Sequence, residues 1–149
     1  MAFIEVMVDS VRFHKEVGQH VVILKETGSD RYLPLWTTDT QAYAIGRKMF
    51  NMNIPQPMVH DLICNLIDVT GLKLLYALIS RIENNNFYSC LVIQLKKSKI
   101  EVACMPTDAI AVALRAVAPI YVEESVLDEA GLIIDKETGK PISPPKEGL

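Results

Sequence analysis

Two separate blocks of this chain each carry three strand-like segments, and helical segments follow each block. That clustering constrains the fold more than any other feature. Strands that follow one another directly pair as antiparallel meanders, whereas a parallel sheet needs a long crossover between partners. In the first block Ile4, Val6 and Val8 alternate with Glu5, Met7 and Asp9, the period of two of a half-buried strand. Val21–Leu24 is a short apolar run, Thr27-Gly28-Ser29-Asp30 a turn, and Arg31–Trp36 the return strand. Pro34 cannot donate to a ladder and belongs at an edge or beside a bulge. In the second block Leu72–Ile82 and Phe87–Leu95 flank Glu83-Asn84-Asn85-Asn86, whose asparagines tolerate positive φ. Lys96-Lys97-Ser98-Lys99 then turns the chain into Ile100–Cys104.

Helical spacing fills the gaps. Thr38, Asp39 and Thr40 are N-cap candidates for a helix carrying Ala42, Ile45 and Met49, which Pro55 and Pro57 must end. Met58, Leu62, Ile63, Leu66 and Ile67 predict the buried face of a second helix, with Asp61, Asn65 and Asp68 pointing away and Gly71 closing it. Pro106-Thr107-Asp108 opens a third over Ala109–Val117. Pro119–Val122 reads as a short strand and Glu124–Ala130 as a last helix. The expected fold class is α+β: a mixed, mostly antiparallel sheet packed with three to four helices in a single domain over residues 1–134. Residues 135–149 hold three prolines and two glycines and read as a poorly ordered C-terminal tail. No internal repeat of fixed period stands out.

Composition removes several classes. Half of the 149 residues are apolar and 22% are charged, which suits a packed core. Apolar runs such as Leu74–Ile79 and Ala109–Leu114 are far shorter than the ~20 residues that span a bilayer. Glu5 and Asp9 break the basic-then-apolar order of a signal peptide. Three widely spaced cysteines, Cys64, Cys90 and Cys104, fit neither a disulfide framework nor a zinc motif. A cytoplasmic chain with reduced thiols and no membrane partner is the expectation. The net charge of −3 means that nucleic-acid binding would need a local positive patch.

No Gly-rich phosphate loop, GxSxG elbow, HExxH or paired CxxC is present. His60-Asp61 opens the second helix, where unpaired backbone N–H groups gather, so the pair could hold a metal, position a water or meet a phosphate. Ordinary capping and dipole complementation explain the same residues, and they explain Thr107-Asp108 equally well. Trp36 ends a strand just before a helix and could stack on a base at a cleft rim, or simply pack. The basic residues of Lys96–Lys99, Arg47-Lys48 and Arg115 read as solvated unless a site gathers them.

Taken in order, these clusters resemble a known family. Val8-Asp9-Ser10-Val11, Arg31-Tyr32-Leu33-Pro34-Leu35-Trp36, Ala42-Tyr43-Ala44-Ile45, His60-Asp61-Leu62 and Pro106-Thr107-Asp108-Ala109-Ile110-Ala111-Val112-Ala113-Leu114-Arg115 are similar to segments of the bifunctional nuclease (BFN) domain family. Ala118-Pro119-Ile120-Tyr121-Val122 extends the likeness, which covers roughly residues 3–131. The resemblance implies an α+β fold that self-associates, so a homo-oligomer, and a nuclease acting on both DNA and RNA. It implies His60, Asp61 and Asp108 as catalytic residues, with Asp61 and Asp108 as ligands of a divalent metal (Mg or Mn). Trp36, Gln41, Thr107 and Arg115 would contact substrate. Departures accompany the likeness. Gln41 stands where the family usually has Glu, Gln56-Pro57 where it has Arg-Pro, Val59 where it has Thr, and Ala103-Cys104-Met105 where it has Asp-Ala-Arg. Phosphodiester hydrolysis needs charge stabilisation at a charge-rich transition state, so those losses open a second reading. That reading is a non-catalytic binding or regulatory module that kept the fold.

Overall fold

The computed structural model describes residues 2–134 and 141–142. The first block forms β1 (Phe3–His14), β2 (Gln19–Glu26) and β3 (Arg31–Thr37), a meander in which each strand pairs antiparallel with the next. Its register slips between Val8 and Ser10, so Asp9 is a bulge. After it come α1 (Asp39–Met49) and α2 (Val59–Val69). The second block forms β4 (Lys73–Glu83), β5 (Asn86–Leu95) and β6 (Ser98–Cys104), again an antiparallel meander. Asn84 and Asn85 both sit at positive φ, as a two-residue hairpin turn requires. Then follow α3 (Pro106–Ala116), β7 (Ile120–Glu123), α4 (Glu124–Ala130), β8 (Leu132–Ile134) and β9 (Pro141–Ile142).

The sheet order β6-β5-β4-β7-β1-β2-β3-β8-β9 shows how the blocks join. β7 inserts between the two meanders, parallel to β4 and antiparallel to β1. The fold is therefore α+β with a mixed, mostly antiparallel sheet, as expected. Most of the predicted tail lies outside the described residues, but β9 pairs antiparallel with β8 and so belongs to the sheet.

One expectation is overturned. The chain does contain an internal repeat, and it is structural. β2 and β5 begin at Gln19 and Asn86, β3 and β6 at Arg31 and Ser98, and α1 and α3 at Asp39 and Pro106, a constant offset of 67 residues (39 to 106). Within the helices that offset superposes Thr40-Gln41-Ala42-Tyr43-Ala44-Ile45 on Thr107-Asp108-Ala109-Ile110-Ala111-Val112. The matching alanines, and Ile45 with Val112, are all buried. The repeat escapes a sequence reading because the strands keep only their length and pleat. One copy continues into α2, the other into β7 and α4.

The core lies between the sheet and α1 and α3. α3 buries Thr107 and every residue from Ala109 to Ala113, so it is enclosed on nearly all sides. α2 behaves otherwise. Its inward side is Ile63, Cys64 and Ile67 behind Met58, while Leu62 and Leu66, expected in the core, are exposed with Val59 and Val69. Asp61, expected to face solvent, turns inward. α4 is fastened by Arg31, which donates to Glu26 on β2 and to Asp128, each at 2.8 Å. Gly131 ends that helix, and a Cβ there would lie 2.3 Å from the Leu127 carbonyl oxygen and 3.2 Å from the Arg31 side chain. Gly131→Ala should therefore lower stability by about 1–3 kcal/mol, the usual effect of forcing atoms into a packed site, in a denaturant titration.

Candidate functional site

α2 starts at Val59 and α3 at Pro106, so His60 and Thr107 are second residues and Asp61 and Asp108 third residues of their helices. Carboxylates there lie beside unpaired first-turn N–H groups. Asp61 Oδ2 accepts the Met58 N–H at 2.7 Å. The two sequence clusters do meet, because α2 packs along α3. His60 Nε2 lies 2.9 Å from Asp108 Oδ1, and Cys64 Sγ lies 3.6 Å from the Val112 carbonyl oxygen one turn further along.

The His60–Asp108 pair is asymmetric. His60 is largely buried, and its Nδ1 is closed to solvent without a hydrogen-bond partner among the described residues. The Asp108 side chain is 40% exposed. Of the two, the carboxylate is the group a ligand can reach, and the imidazole holds its orientation.

Asp61 occupies a different environment. Arg47 Nη1 donates to its Oδ2 at 2.7 Å and Arg115 Nε to its Oδ1 at 2.8 Å. Arg115, 4% exposed, spends its other donors on the Ala111 and Ala44 carbonyls at 2.9 and 3.0 Å. One carboxylate thus joins the end of α1, the start of α2 and the end of α3. Burial raises the Asp61 pKa, but the Met58 N–H, Arg47 and Arg115 together outweigh it and hold the group at about 2.

The remaining expected residues fall on either side of this knot. Gln41, third residue of α1 after its N-cap Thr38, accepts from the Thr37 hydroxyl, and its Nε2 lies 3.4 Å from Met105 Sδ at the start of α3. Thr107 is buried, and its hydroxyl has no partner among the described residues. Trp36 pairs in register with Val21, half exposed, and its ring meets His14 edge-on at 5.7 Å between centroids. His60 and Asp108 are brought together, as are Asp61 and Arg115. Gln41 adjoins them through Met105, and Trp36 stands further out along a groove beside Gln41.

Both Asp61 oxygens are engaged, and no three His, Cys, Asp or Glu side chains gather as a cation-holding group among the described residues. A hard divalent ion needs several oxygen ligands, and this arrangement has one open carboxylate, Asp108. The residues present do not fit such an ion. All three thiols are free, and burial pushes each upward in pKa, Cys90 to about 11, which suits inert thiols.

Arg47 is the residue that sequence reasoning missed. Its only signal was a basic side chain near the end of an Ala-containing helix, which reads equally as a dipole complement. Replacing Asp61 with Asn should leave two guanidiniums without a counter-charge and lower stability by about 3–5 kcal/mol in a chemical melt. The pH dependence has a definite sign. A carboxylate depressed from 3.8 to about 2 on folding contributes stability that is present above pH ~4 and lost as pH falls toward 2. That contribution is on the order of 2 kcal/mol, and the acid limb of an unfolding profile should flatten in the Asn variant.

Among the described residues no helix is long and apolar enough to cross a membrane. A model of the bifunctional nuclease domain matches residues 22–135. Uncharacterized proteins from two strains of Mycobacterium tuberculosis are 39% identical over 134 residues, covering 90% of this chain and 80% of the relative. A protein described as bifunctional nuclease 1 in Oryza sativa subsp. japonica is 25% identical over 132 residues, 86% of this chain but 40% of the plant protein. With the family model running from within β2 to the end of β8 and including the helices that carry His60 and Asp108, the chain belongs to the bifunctional nuclease domain family.

Proposed function

We propose that this chain is a nuclease that hydrolyses phosphodiester bonds of DNA and RNA, with Asp108 as its reactive carboxylate. The observation that carries the reading is the 2.9 Å contact between His60 Nε2 and Asp108 Oδ1, which leaves Oδ2 without a partner among the described residues. In a phosphodiester complex Oδ2 takes a proton from an attacking water as the water oxygen bonds to phosphorus. The P–O bond to the leaving nucleotide breaks, and solvent protonates the departing oxygen. Charge gathering on the phosphoryl oxygens is met by first-turn backbone N–H groups. His60 is then a positioning residue, and Asp61 with Arg115 braces α2 against the ends of α1 and α3 rather than touching substrate.

One observation favours the second reading, a binding module without hydrolysis. Asp61 has both oxygens bound to guanidiniums, so the cleft offers one carboxylate where phosphodiester chemistry usually gathers several charges. Asp108→Asn decides between them, because among the described residues the Asp108 side chain makes one hydrogen bond, whose acceptor oxygen the Asn amide keeps. Cleavage of labelled single-stranded DNA and RNA should fall a hundredfold or more, and His60→Gln should fall less while keeping the same substrate KM. Unchanged cleavage in Asp108→Asn rejects the assignment, and no cleavage by the parent chain supports the module.

Self-association and a cytoplasmic setting belong to the same reading. Val59, Leu62, Leu66 and Val69 lie exposed at spacings of three, four and three along α2, the seam geometry of paired helices. Leu66→Glu should convert an oligomer to monomer in sedimentation velocity; a parent chain already monomeric removes the proposal.

A further inference from the structure

A groove of about 730 Å³ opens between α1 and the β1–β2 hairpin, and its lining includes neither His60 nor Asp108. That volume is within the ~300–1,000 Å³ of small-ligand sites. One wall is a stripe of α1. Asp39, Tyr43, Gly46 and Phe50 recur at spacings of four, three and four, so they share one helix face. The stripe extends over the whole of α1 to its C-cap, ~16 Å of helix. Across from it stands Phe13 on β1, with its ring 4.9 Å between centroids from that of His20, its register partner on β2. Phe13, Tyr43 and Phe50 are all exposed.

Gly46 is the unusual member of the stripe. Glycine inside a helix is destabilising relative to alanine. Nothing lies within 4 Å of where a Cβ would stand at this position, so no neighbour requires the side chain to be missing. Its absence keeps the floor between Tyr43 and Phe50 open. The helix thus presents a carboxylate, a ring, a gap and a second ring in that order.

Charge selects the occupant. The lining carries one carboxylate, Asp39, and among the described residues no lysine or arginine. Asp39 is 86% exposed, and His20, whose Nδ1 stands 2.8 Å from its Oδ1, offsets that charge only when protonated. Phosphates and carboxylates are repelled by such a lining. A divalent metal ion asks for several oxygen ligands, which one carboxylate does not supply. A primary ammonium is strongly hydrated and brings three N–H donors that ring faces satisfy poorly. An alkylated ammonium makes no such demand, and aromatic faces attract it through their quadrupoles. We propose that this groove binds a small organic cation, an alkylated ammonium with an apolar body. Its head lies between Asp39, Phe13 and Tyr43, and its body lies over Gly46 toward Phe50. The site is separate from the nuclease reading and stands without it.

The full chain is titrated with hexyltrimethylammonium by NMR, and with hexanol and hexanoate as neutral and anionic compounds with the same body. The cation should bind about tenfold more tightly than either and shift the Tyr43 and Gly46 resonances. Asp39→Asn, at an exposed position, should weaken cation binding about threefold and leave hexanol binding unchanged. Phe13→Leu/Tyr43→Leu keeps apolar side chains without the rings and should weaken cation binding about tenfold. Gly46→Leu has room for its Cβ and fills the floor, so it should abolish binding while the helix is retained by circular dichroism. A trimethyllysine peptide, with the same head on a polar backbone, should bind more weakly than the probe. Tighter binding of that peptide moves the site to a protein partner and overturns the small-molecule assignment. Equal affinity for cation, alcohol and carboxylate, or unchanged binding by the leucine variants, overturns the site altogether.

Discussion

The Asp61 carboxylate is the constraint on which the rest of this domain depends. It is the point where three helices from different parts of the chain exchange charge-assisted hydrogen bonds, two from guanidiniums and one from a backbone N–H. An arginine as enclosed as Arg115 would be prohibitive without that partner, and its remaining donors are satisfied by carbonyls of α1 and α3. The same knot sets the position of α2 along α3. His60 is the residue beside Asp61, and its ring meets Asp108 at the start of α3 while the brace ties the first turn of α2 to Arg115 in the last turn of α3. Structure and proposed chemistry are thus divided between neighbouring residues of one helical turn.

Repetition explains the rest of the architecture. Each βββα copy can cover only one face of its own meander, and β7 fuses the two meanders into a continuous sheet. Alanines at matching positions allow α1 and α3 to approach closely under that sheet. Copies that share a backbone need not share side chains, and at the helix starts the matching residues have different surroundings. Thr107 is buried and Asp108 is held by an imidazole, while Thr40 and Gln41 face open grooves.

The departures from family pattern acquire a physical setting here. Gln41 keeps the shape of a glutamate and replaces its charge with a donor that reaches Met105 Sδ, itself a residue standing where arginine is usual. Apolar and neutral groups have replaced charged ones on both sides of the same junction. That shift accords with one open carboxylate, and with a fit to divalent ions that the described residues do not provide.

Much of this was legible in the residues themselves. Alternating Ile4, Val6 and Val8, the Asn84-Asn85 turn and Pro106 each fixed a local conformation through pleat, positive φ or a missing donor. These effects act within a few residues, so eleven successive elements could be read in their proper order. The helix starts at His60-Asp61 and Thr107-Asp108 were legible for the same reason. What the chain alone left open was partnership. Asp61 looked solvent-facing because its counter-charges lie 14 and 54 residues away, and Leu62 looked buried because periodicity finds an apolar face without saying whether anything covers it. The repeat was hidden because strands conserve pleat and length rather than letters. Local sterics and hydrogen bonding set the elements from sequence; only long-range packing decided which His meets which Asp, since that depends on how helices distant in the chain cross.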